Sequence, residues 1–417
     1  MKVKIYRGTK EIGGTCVELN ADNGRKLWID LGAPLSKANP DTSYRNNPVD
    51  ALLISHPHAD HFGLMESVGS EVPVYIGQVS EDLIKATKRF LGINPPRCNF
   101  QRIEPWKQID VCGTFKVYPY LVDHSSPEAF AFVMEADNKR VFYSGDFRAS
   151  GRKGFLFDNL IQKPPNNIDL FLIEGTMVER DRQKYKTESE VEGAISTIVV
   201  NQQNMTIVVS SAQNIDRFCS VFNACRVGHK MLIIDVYVAW VLEMVKKKSK
   251  NLPTIDAGQV LVYNAQSQLD KITEPEFTDF VSKVKSKAVH KGIFIKPEKF
   301  VYFLRCPKQP FINRLFTHNK NNVNIIYSQW GGYLSEDYKT SCTDIINGLR
   351  TRSDISFSQI HTSGHASLGE LKALSQAIKP IKIVPIHTEK PELMKAEFEM
   401  VGFMNVENWQ DGLDYIV

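Results

Sequence analysis

The motif His-Pro-His-Ala-Asp-His at residues 56–61 constrains this chain more than any other feature of its sequence. It places three imidazoles and one carboxylate directly after an apolar run at residues 51–54, which is typical of a buried strand. Imidazole nitrogen and carboxylate oxygen are ligands that suit zinc and similar divalent ions. Because His56 and His58 can face one side while Asp60 and His61 belong to the next turn, the motif predicts ligands for two adjacent metal ions.

Further candidate ligands stand where apolar strand patterns end. Asp30 precedes the histidine motif in this way, and His124, Asp146 and Glu174 follow it in order. A carboxylate such as that of Asp146 has two oxygens and can bridge two metals. The order of these residues after the motif predicts that they complete one site.

Two more histidines follow strand patterns near the end of the chain. Residues 355–360 lead into a turn with Ser363, Gly364 and His365, and residues 381–385 lead to His387. Because two successive strand patterns are each followed by a histidine, we predict that these histidines complete the site that contains His56.

Composition indicates a soluble intracellular protein. The 417 residues are 42% hydrophobic, enough for two or more domains with sizeable cores. No apolar run approaches about 18 residues and no signal-peptide core follows Met1, so we expect a cytoplasmic protein without a membrane partner. The seven cysteines are odd in number and scattered, which argues against a disulfide framework and predicts buried or inert thiols.

The middle segment, residues 187–350, differs in texture and charge. Helical and strand-like patterns alternate there, which predicts a small parallel α/β domain. The segment carries 20 lysines and arginines against 15 acidic residues, a net charge of +5, largely in residues 246–250 and in Lys283, Lys285, Lys287 and Lys291. A basic segment beside a metal site would suit a polyanion, although a solvated helix face would look the same.

The ordered set of motifs resembles the metallo-β-lactamase hydrolases, and specifically their β-CASP nuclease branch. Glu174, His365 and His387 are similar to the three motifs of that branch, and Glu-Ile-Gly-Gly at residues 11–14 is similar to ribonuclease J. The resemblance implies an α/β fold: a metallo-β-lactamase αββα sandwich formed by residues 1–186 and 351–417, with a β-CASP α/β domain inserted at residues 187–350. The chain ends soon after His387, which predicts a short form without the C-terminal domain of ribonuclease J.

The resemblance also implies roles for the site residues. It implies two divalent ions, Zn²⁺ above all, with Mn²⁺ and Mg²⁺ also compatible. One ion would be held by His56, His58 and His124, the other by Asp60, His61 and His387, and Asp146 would bridge them. Asp60 would alternatively orient the attacking water, and His365, held by Glu174, would act as a catalytic acid. Asp30 would fix a ligand imidazole from behind it. Ser210 and Ser211 approximate the family's Ser-Ser-Asn phosphate pocket, to which Ser363 and Gly364 would add.

The implied activity is hydrolysis of single-stranded RNA, 5′→3′ from the end of the chain, with internal cleavage as a second mode. His387 favours RNA over DNA, because DNA-processing members of the branch tend to carry valine at that position. Three alternatives stay open at the level of the sequence: a DNA-directed nuclease, a lactonase- or thioesterase-like hydrolase of small molecules, and a non-catalytic RNA-binding subunit. A homodimer is compatible with the sequence.

Overall fold

The computed structural model describes residues 1–35, 41–180, 183–201, 204–263, 266–289, 297–318, 322–340 and 342–417. In this part of the chain the strands, β1 to β19 in chain order, are Lys2–Arg7, Cys16–Asn20, Lys26–Ile29, Ala51–Leu53, Pro73–Gly77, Asn99–Ile103, Ile109–Val111, Phe115–Leu121, Phe130–Ala136, Lys139–Tyr143, Leu170–Glu174, Met205–Val209, Met231–Asp235, Val260–Tyr263, Phe300–Leu304, Val323–Tyr327, Ile355–Gln359, Lys382–Ile386 and Asp414–Ile416. The α-helices α1 to α12 are Ala59–Phe62, Gln78–Leu91, Phe155–Gln162, Glu188–Asn201, Ile215–Val227, Val236–Lys246, Gln266–Leu269, Thr278–Ser286, Gln309–His318, Thr343–Arg350, Leu368–Ile378 and Pro391–Glu399.

Two sheets face each other in the first of two compact units, which comprises Met1–Ile84, Pro96–Gln183 and Gly364–Val417. Their strand orders are β19-β1-β2-β3-β4-β5-β6 and β18-β11-β10-β9-β8-β7. Apolar side chains at alternate positions, such as those of β1 and β9, point to one side of each sheet and share a core between the sheets. On the outer faces, α2 packs against the first sheet, and α3, α11 and α12 pack against the second. This αββα sandwich confirms the predicted fold class.

The second unit, Lys85–Pro95 and Lys184–Ser363, contains a six-stranded sheet in the order β14-β13-β15-β12-β16-β17. All neighbouring strands in it are parallel, as the alternating helix and strand patterns predicted. Residues 351–363 were predicted to belong to the closing part of the sandwich. They lie in this unit instead, because β17 pairs in parallel with β16. The other boundary, predicted after residue 186, falls after Gln183.

Helices of the second unit begin at side-chain caps. Thr187, Asn214 and Asp235 each accept a hydrogen bond from the backbone N–H three residues further on, at the starts of α4, α5 and α6. α6 ends at Lys246, so most of the basic run at residues 246–250 follows the helix. Lys291 lies outside the described residues. Within the described ranges, no helix is long and apolar enough to cross a membrane.

Two of the cysteines correct the expectation of inert thiols. Cys306, just after β15, and Cys342, just before α10, form a disulfide with their Cα atoms 5.5 Å apart. They are 36 residues apart in the chain, so only the folded sheet brings them together. Cys16, Cys112 and Cys225 are free thiols.

Candidate metal centre

The predicted ligands meet at the ends of strands of the first unit. Asp30 follows β3, His56 comes three residues after β4, Asp146 comes three residues after β10, and His387 follows β18. β3 is parallel to β4, and β10, β11 and β18 are parallel to one another, so the carboxyl ends of each set share one sheet edge. Residues far apart in the chain therefore contribute to one cluster.

Three histidines form the first group of donor atoms. His58 Nδ1 lies 3.1 Å from His56 Nε2 and 3.1 Å from His124 Nε2. His124 Nδ1 donates to the carbonyl oxygen of Gly364 at 2.5 Å, which leaves Nε2 as the nitrogen with a lone pair. Burial lowers the pKa of His58 to about 4 and holds the pKa values of His56 and His124 well below the usual range. All three rings are therefore neutral near pH 7, the form that ligates a metal.

Asp60, His61 and His387 form the second group. The one-turn helix α1 carries Asp60 and His61, and the ligand atoms of the three residues lie within 4.8 Å of one another. Asp60 Oδ2 is 3.3 Å from His387 Nε2 and 3.8 Å from His61 Nε2. Burial alone would raise the pKa of Asp60, but the two imidazoles outweigh it and lower the pKa to about 2. The carboxylate is therefore ionised and available as a ligand.

Asp146 lies between the two groups. Its Oδ2 is 3.6 Å from His56 Nε2 and 3.1 Å from His61 Nε2. The preceding Gly145 makes this approach possible: its φ is +54°, and a Cβ atom there would lie 2.5 Å from the carbonyl oxygen of Phe130. The position of Asp146 is that of a carboxylate shared by both groups.

Buried atoms without partners provide a test of whether metal ions fit. Among the described residues, His61 Nε2 and Asp146 Oδ1 have no hydrogen-bond partner, although both side chains are at most 2% exposed. An orphaned buried polar atom costs about 1–3 kcal/mol, which coordination would offset. Burial disfavours a charged His61, but Asp146 and Asp30 outweigh it and raise its pKa well above the usual range. The cluster thus attracts positive charge, and its nitrogen and carboxylate donors suit divalent ions.

Asp30 is buried behind His61 and holds its ring. Its Oδ2 accepts hydrogen bonds from His61 Nδ1 at 2.7 Å, from Ser55 Oγ at 2.7 Å and from Tyr143 Oη at 2.5 Å, and Oδ1 accepts from the Ser55 backbone at 2.7 Å. With its Nδ1 proton bound by Asp30, the His61 ring turns Nε2 toward Asp60 and Asp146, so Nε2 is the nitrogen that would give up its proton to ligate a metal ion.

We expect the substitution Asp30→Asn to weaken binding of one divalent ion about 10- to 100-fold, because the amide no longer selects the His61 tautomer. Competition with a chromophoric chelator measures this affinity. Tyr143→Phe, which removes one hydroxyl from Asp30 but leaves the contact to His61, is the matched control and should have the smaller effect. Equal affinities for Asp30→Asn and the unmodified chain would contradict this role.

Glu174 and His365 form a pair at the side of the cluster. Glu174 Oε2 accepts from His365 Nδ1 at 2.9 Å, while Oε1 accepts from the backbone of Phe147 at 2.9 Å. Glu174 is 1% exposed, whereas the side chain of His365 is 21% exposed. Burial disfavours a charged imidazole, but Glu174 and Asp146 outweigh it and raise the pKa of His365 to about 9. A protonated imidazole with one accessible side is suited to donate a proton.

The residues predicted to bind phosphate are divided between the units. Ser210, at the end of β12, is buried, and its Oγ has no hydrogen-bond partner among the described residues, while the exposed Ser211 accepts from the Gln213 backbone through Oγ. Ser363 is the last residue of the second unit, and Gly364 is the first residue of the final segment of the first unit. The carbonyl of Gly364 supports His124, a contact that the sequence did not predict. Phosphate binding by these residues stays a prediction.

Supporting residues behind the ligands were missed in the sequence. Ser55 and Tyr143 contact Asp30, and Thr176 Oγ1 lies 2.9 Å from His387 Nδ1. The only signal for them is proximity: each lies within three residues of a predicted site residue. The residue type alone does not predict which side chain the hydroxyl will contact in the folded protein.

Two family models match the chain. A β-lactamase superfamily domain matches residues 28–209, and a Zn-dependent metallo-hydrolase RNA specificity domain matches residues 355–404. The first range contains Asp30, the histidine motif, Asp146 and Glu174; the second contains His365 and His387. Every residue of the candidate centre therefore lies in a matched segment.

Relatives at low identity match nearly the whole chain. Ribonuclease J of Mycolicibacterium smegmatis is 21% identical over 417 residues, covering 93% of this chain and 68% of that protein. Ribonuclease J of Mycoplasma pneumoniae is 22% identical over 419 residues, with the same coverage of 93% and 68%. A crystal structure of a protein of unknown function from Enterococcus faecalis V583 has a TM-score of 0.74 at 17% identity and covers 100% of this chain and 99% of that one. The latter likeness concerns the fold alone.

Proposed function

We propose that this chain is a ribonuclease J-like member of the metallo-β-lactamase superfamily and that, as a zinc-dependent ribonuclease, it hydrolyses phosphodiester bonds of single-stranded RNA. The His365–Glu174 pair beside the metal cluster is the observation that carries this proposal. A lactonase or thioesterase would need the metal ligands but not this pair. The match of residues 355–404 to an RNA specificity domain supports RNA as the substrate class.

The donor groups support two ions. His56, His58 and His124 would hold one, Asp60, His61 and His387 the other, and Asp146 would contact both. Divalent ions bound there would supply Lewis-acid polarisation of the scissile phosphate and a more acidic water. Zinc fits best, because imidazole dominates the donor set and carboxylate completes it.

The side chains around the ligands would handle the protons. The ionised Asp60 would orient the attacking water through its second oxygen. As the bond between phosphorus and the 3′ oxygen breaks, His365 would donate a proton from Nε2 to that oxygen, since Glu174 holds Nδ1. The products would be a 5′-phosphate on one fragment and a 3′-hydroxyl on the other. Glu174, buried among backbone donors, would keep the imidazole oriented through the reaction.

We propose 5′→3′ removal of mononucleotides as the main mode and internal cleavage as the second. The support is the resemblance of Ser210 and Ser211 to the phosphate pocket of the family, together with the buried Ser210 Oγ, which has no hydrogen-bond partner within the described part of the chain. A pocket that captures a terminal 5′-monophosphate would favour cleavage one nucleotide at a time.

RNA substrates with different 5′ ends test the proposal. With zinc- or manganese-loaded protein, we expect mononucleotides from 5′-monophosphate RNA, slower release from 5′-triphosphate RNA, and nicking of circular RNA by the internal mode. Product analysis by gel and mass spectrometry measures all three.

Parallel reactions with single-stranded DNA of the same sequence and with a simple lactone cover the alternatives. Faster hydrolysis of DNA would transfer the proposal to a DNA-directed nuclease. Turnover of the lactone without cleavage of RNA would overturn it.

A further inference from the structure

His387 is a buried ligand candidate whose ring is approached on both nitrogens. Its Nε2 lies 3.3 Å from Asp60 Oδ2, and its Nδ1 lies 2.9 Å from Thr176 Oγ1. The residue has a left-handed backbone, with φ of +48°, and its side chain is 1% exposed. The ring is therefore enclosed, with one polar contact at each of its nitrogens.

Thr176 is placed beside this ring by the pairing of two strands. β11 and β18 are parallel, with Glu174 opposite Ile386, so the residues that follow each strand run side by side. The two segments approach each other closely at Gly175, where a Cβ atom would lie only 3.0 Å from Thr388 Oγ1. Thr176 itself is only 6% exposed.

The hydroxyl of Thr176 contacts two atoms of the same residue. Besides Nδ1 of the ring, it reaches the carbonyl oxygen of His387 at 3.3 Å, to which it can only donate. With its single hydrogen used in this way, Oγ1 accepts from Nδ1–H, and Nε2 carries the lone pair directed toward Asp60. The reverse arrangement would put a proton on Nε2, where a cation between His387 and Asp60 could not be ligated.

We infer that Thr176 is a positioning residue that selects the ligating tautomer of His387 and thereby sets the affinity for the ion held by Asp60, His61 and His387. This rests on the two-metal site of the proposed function. Two substitutions separate the effect of the hydroxyl from the effect of side-chain volume. Thr176→Val keeps the volume and removes the hydroxyl, whereas Thr176→Ser keeps the hydroxyl and removes the methyl group.

Metal titration against a chromophoric chelator, with total metal by mass spectrometry, is the test. We expect Thr176→Val to lower the affinity for one of the two zinc ions about 10- to 100-fold and to leave the affinity for the other unchanged. Thr176→Ser should restore most of the loss. The control is Thr388→Val, a neighbouring buried threonine whose hydroxyl accepts from the Lys390 backbone, and it should bind both ions as the unmodified chain does.

Unchanged affinity in Thr176→Val, or an equal loss in Thr176→Ser, would overturn the inference, as would an unmodified chain that binds no second ion. Melting curves identify a variant that has lost its fold. Since affinity is read without substrate, this outcome is independent of whether the protein cleaves RNA.

Discussion

Replacing Asp146 by asparagine is expected to reduce cleavage of single-stranded RNA by about 10³-fold, at the upper end of losses for an electrostatic group in an active site. Oδ2 of Asp146 approaches a nitrogen of each histidine group, His56 at 3.6 Å and His61 at 3.1 Å. An amide nitrogen in that place would present hydrogens to both groups and remove the negative charge that they share. For the proposed two-metal site, we therefore expect the zinc content to fall from two ions toward one or none. Initial rates and metal content of the purified protein measure the two effects.

Two further variants distinguish this role from a general effect of charge. Asp110→Asn removes the same charge from an exposed position on β7 and should leave both rate and metal content unchanged. Asp60→Asn disturbs only the second group and should spare the ion held by His56, His58 and His124. If Asp146→Asn retained two ions and its rate, the shared-carboxylate arrangement would be wrong.

The clustering of the candidate ligands could be predicted from the sequence because each of them has a local signal. The motif at residues 56–61 stands out in six residues, and Asp146 and His387 both follow strand-like runs. Parallel strands end at one edge of a sheet, so residue types at strand ends are enough to place them together without knowledge of contacts. The parallel sheet of the second unit was also predictable from a local pattern, because its strands and helices alternate in the chain.

Contacts that depend on the folded geometry could not be predicted. Which nitrogen of His61 faces the cluster depends on Asp30, Ser55 and Tyr143, and the last of these comes from the other sheet. The disulfide between Cys306 and Cys342 depends on where the loop after β15 passes the start of α10. Likewise, the strand at Ile355–Gln359 has an ordinary pattern, and only its pairing with β16 decides to which unit it belongs.

Replacing His365 by alanine is expected to lower kcat for RNA by about 10²- to 10⁴-fold, the range for loss of a general acid, with little change in bound metal. The reason is geometric: Glu174 holds Nδ1 at 2.9 Å, and His365 belongs to neither of the two ligand groups proposed to hold the ions. Single-turnover cleavage and metal content measure this split. Glu174→Gln should lower kcat by a smaller factor, since its amide can still contact the imidazole.

A substrate with sulfur in place of the bridging 3′ oxygen separates proton donation from a structural role of His365. A thiolate leaves without protonation, so a variant that lacks only the acid should cleave this RNA at nearly the rate of the unmodified chain. A variant with a distorted metal cluster should be slow on both substrates, because the attack on phosphorus would suffer in each. Equal losses on the oxygen and sulfur substrates would therefore exclude His365 as the acid and leave it as a support for Asp146, from which its Nδ1 is 3.7 Å away.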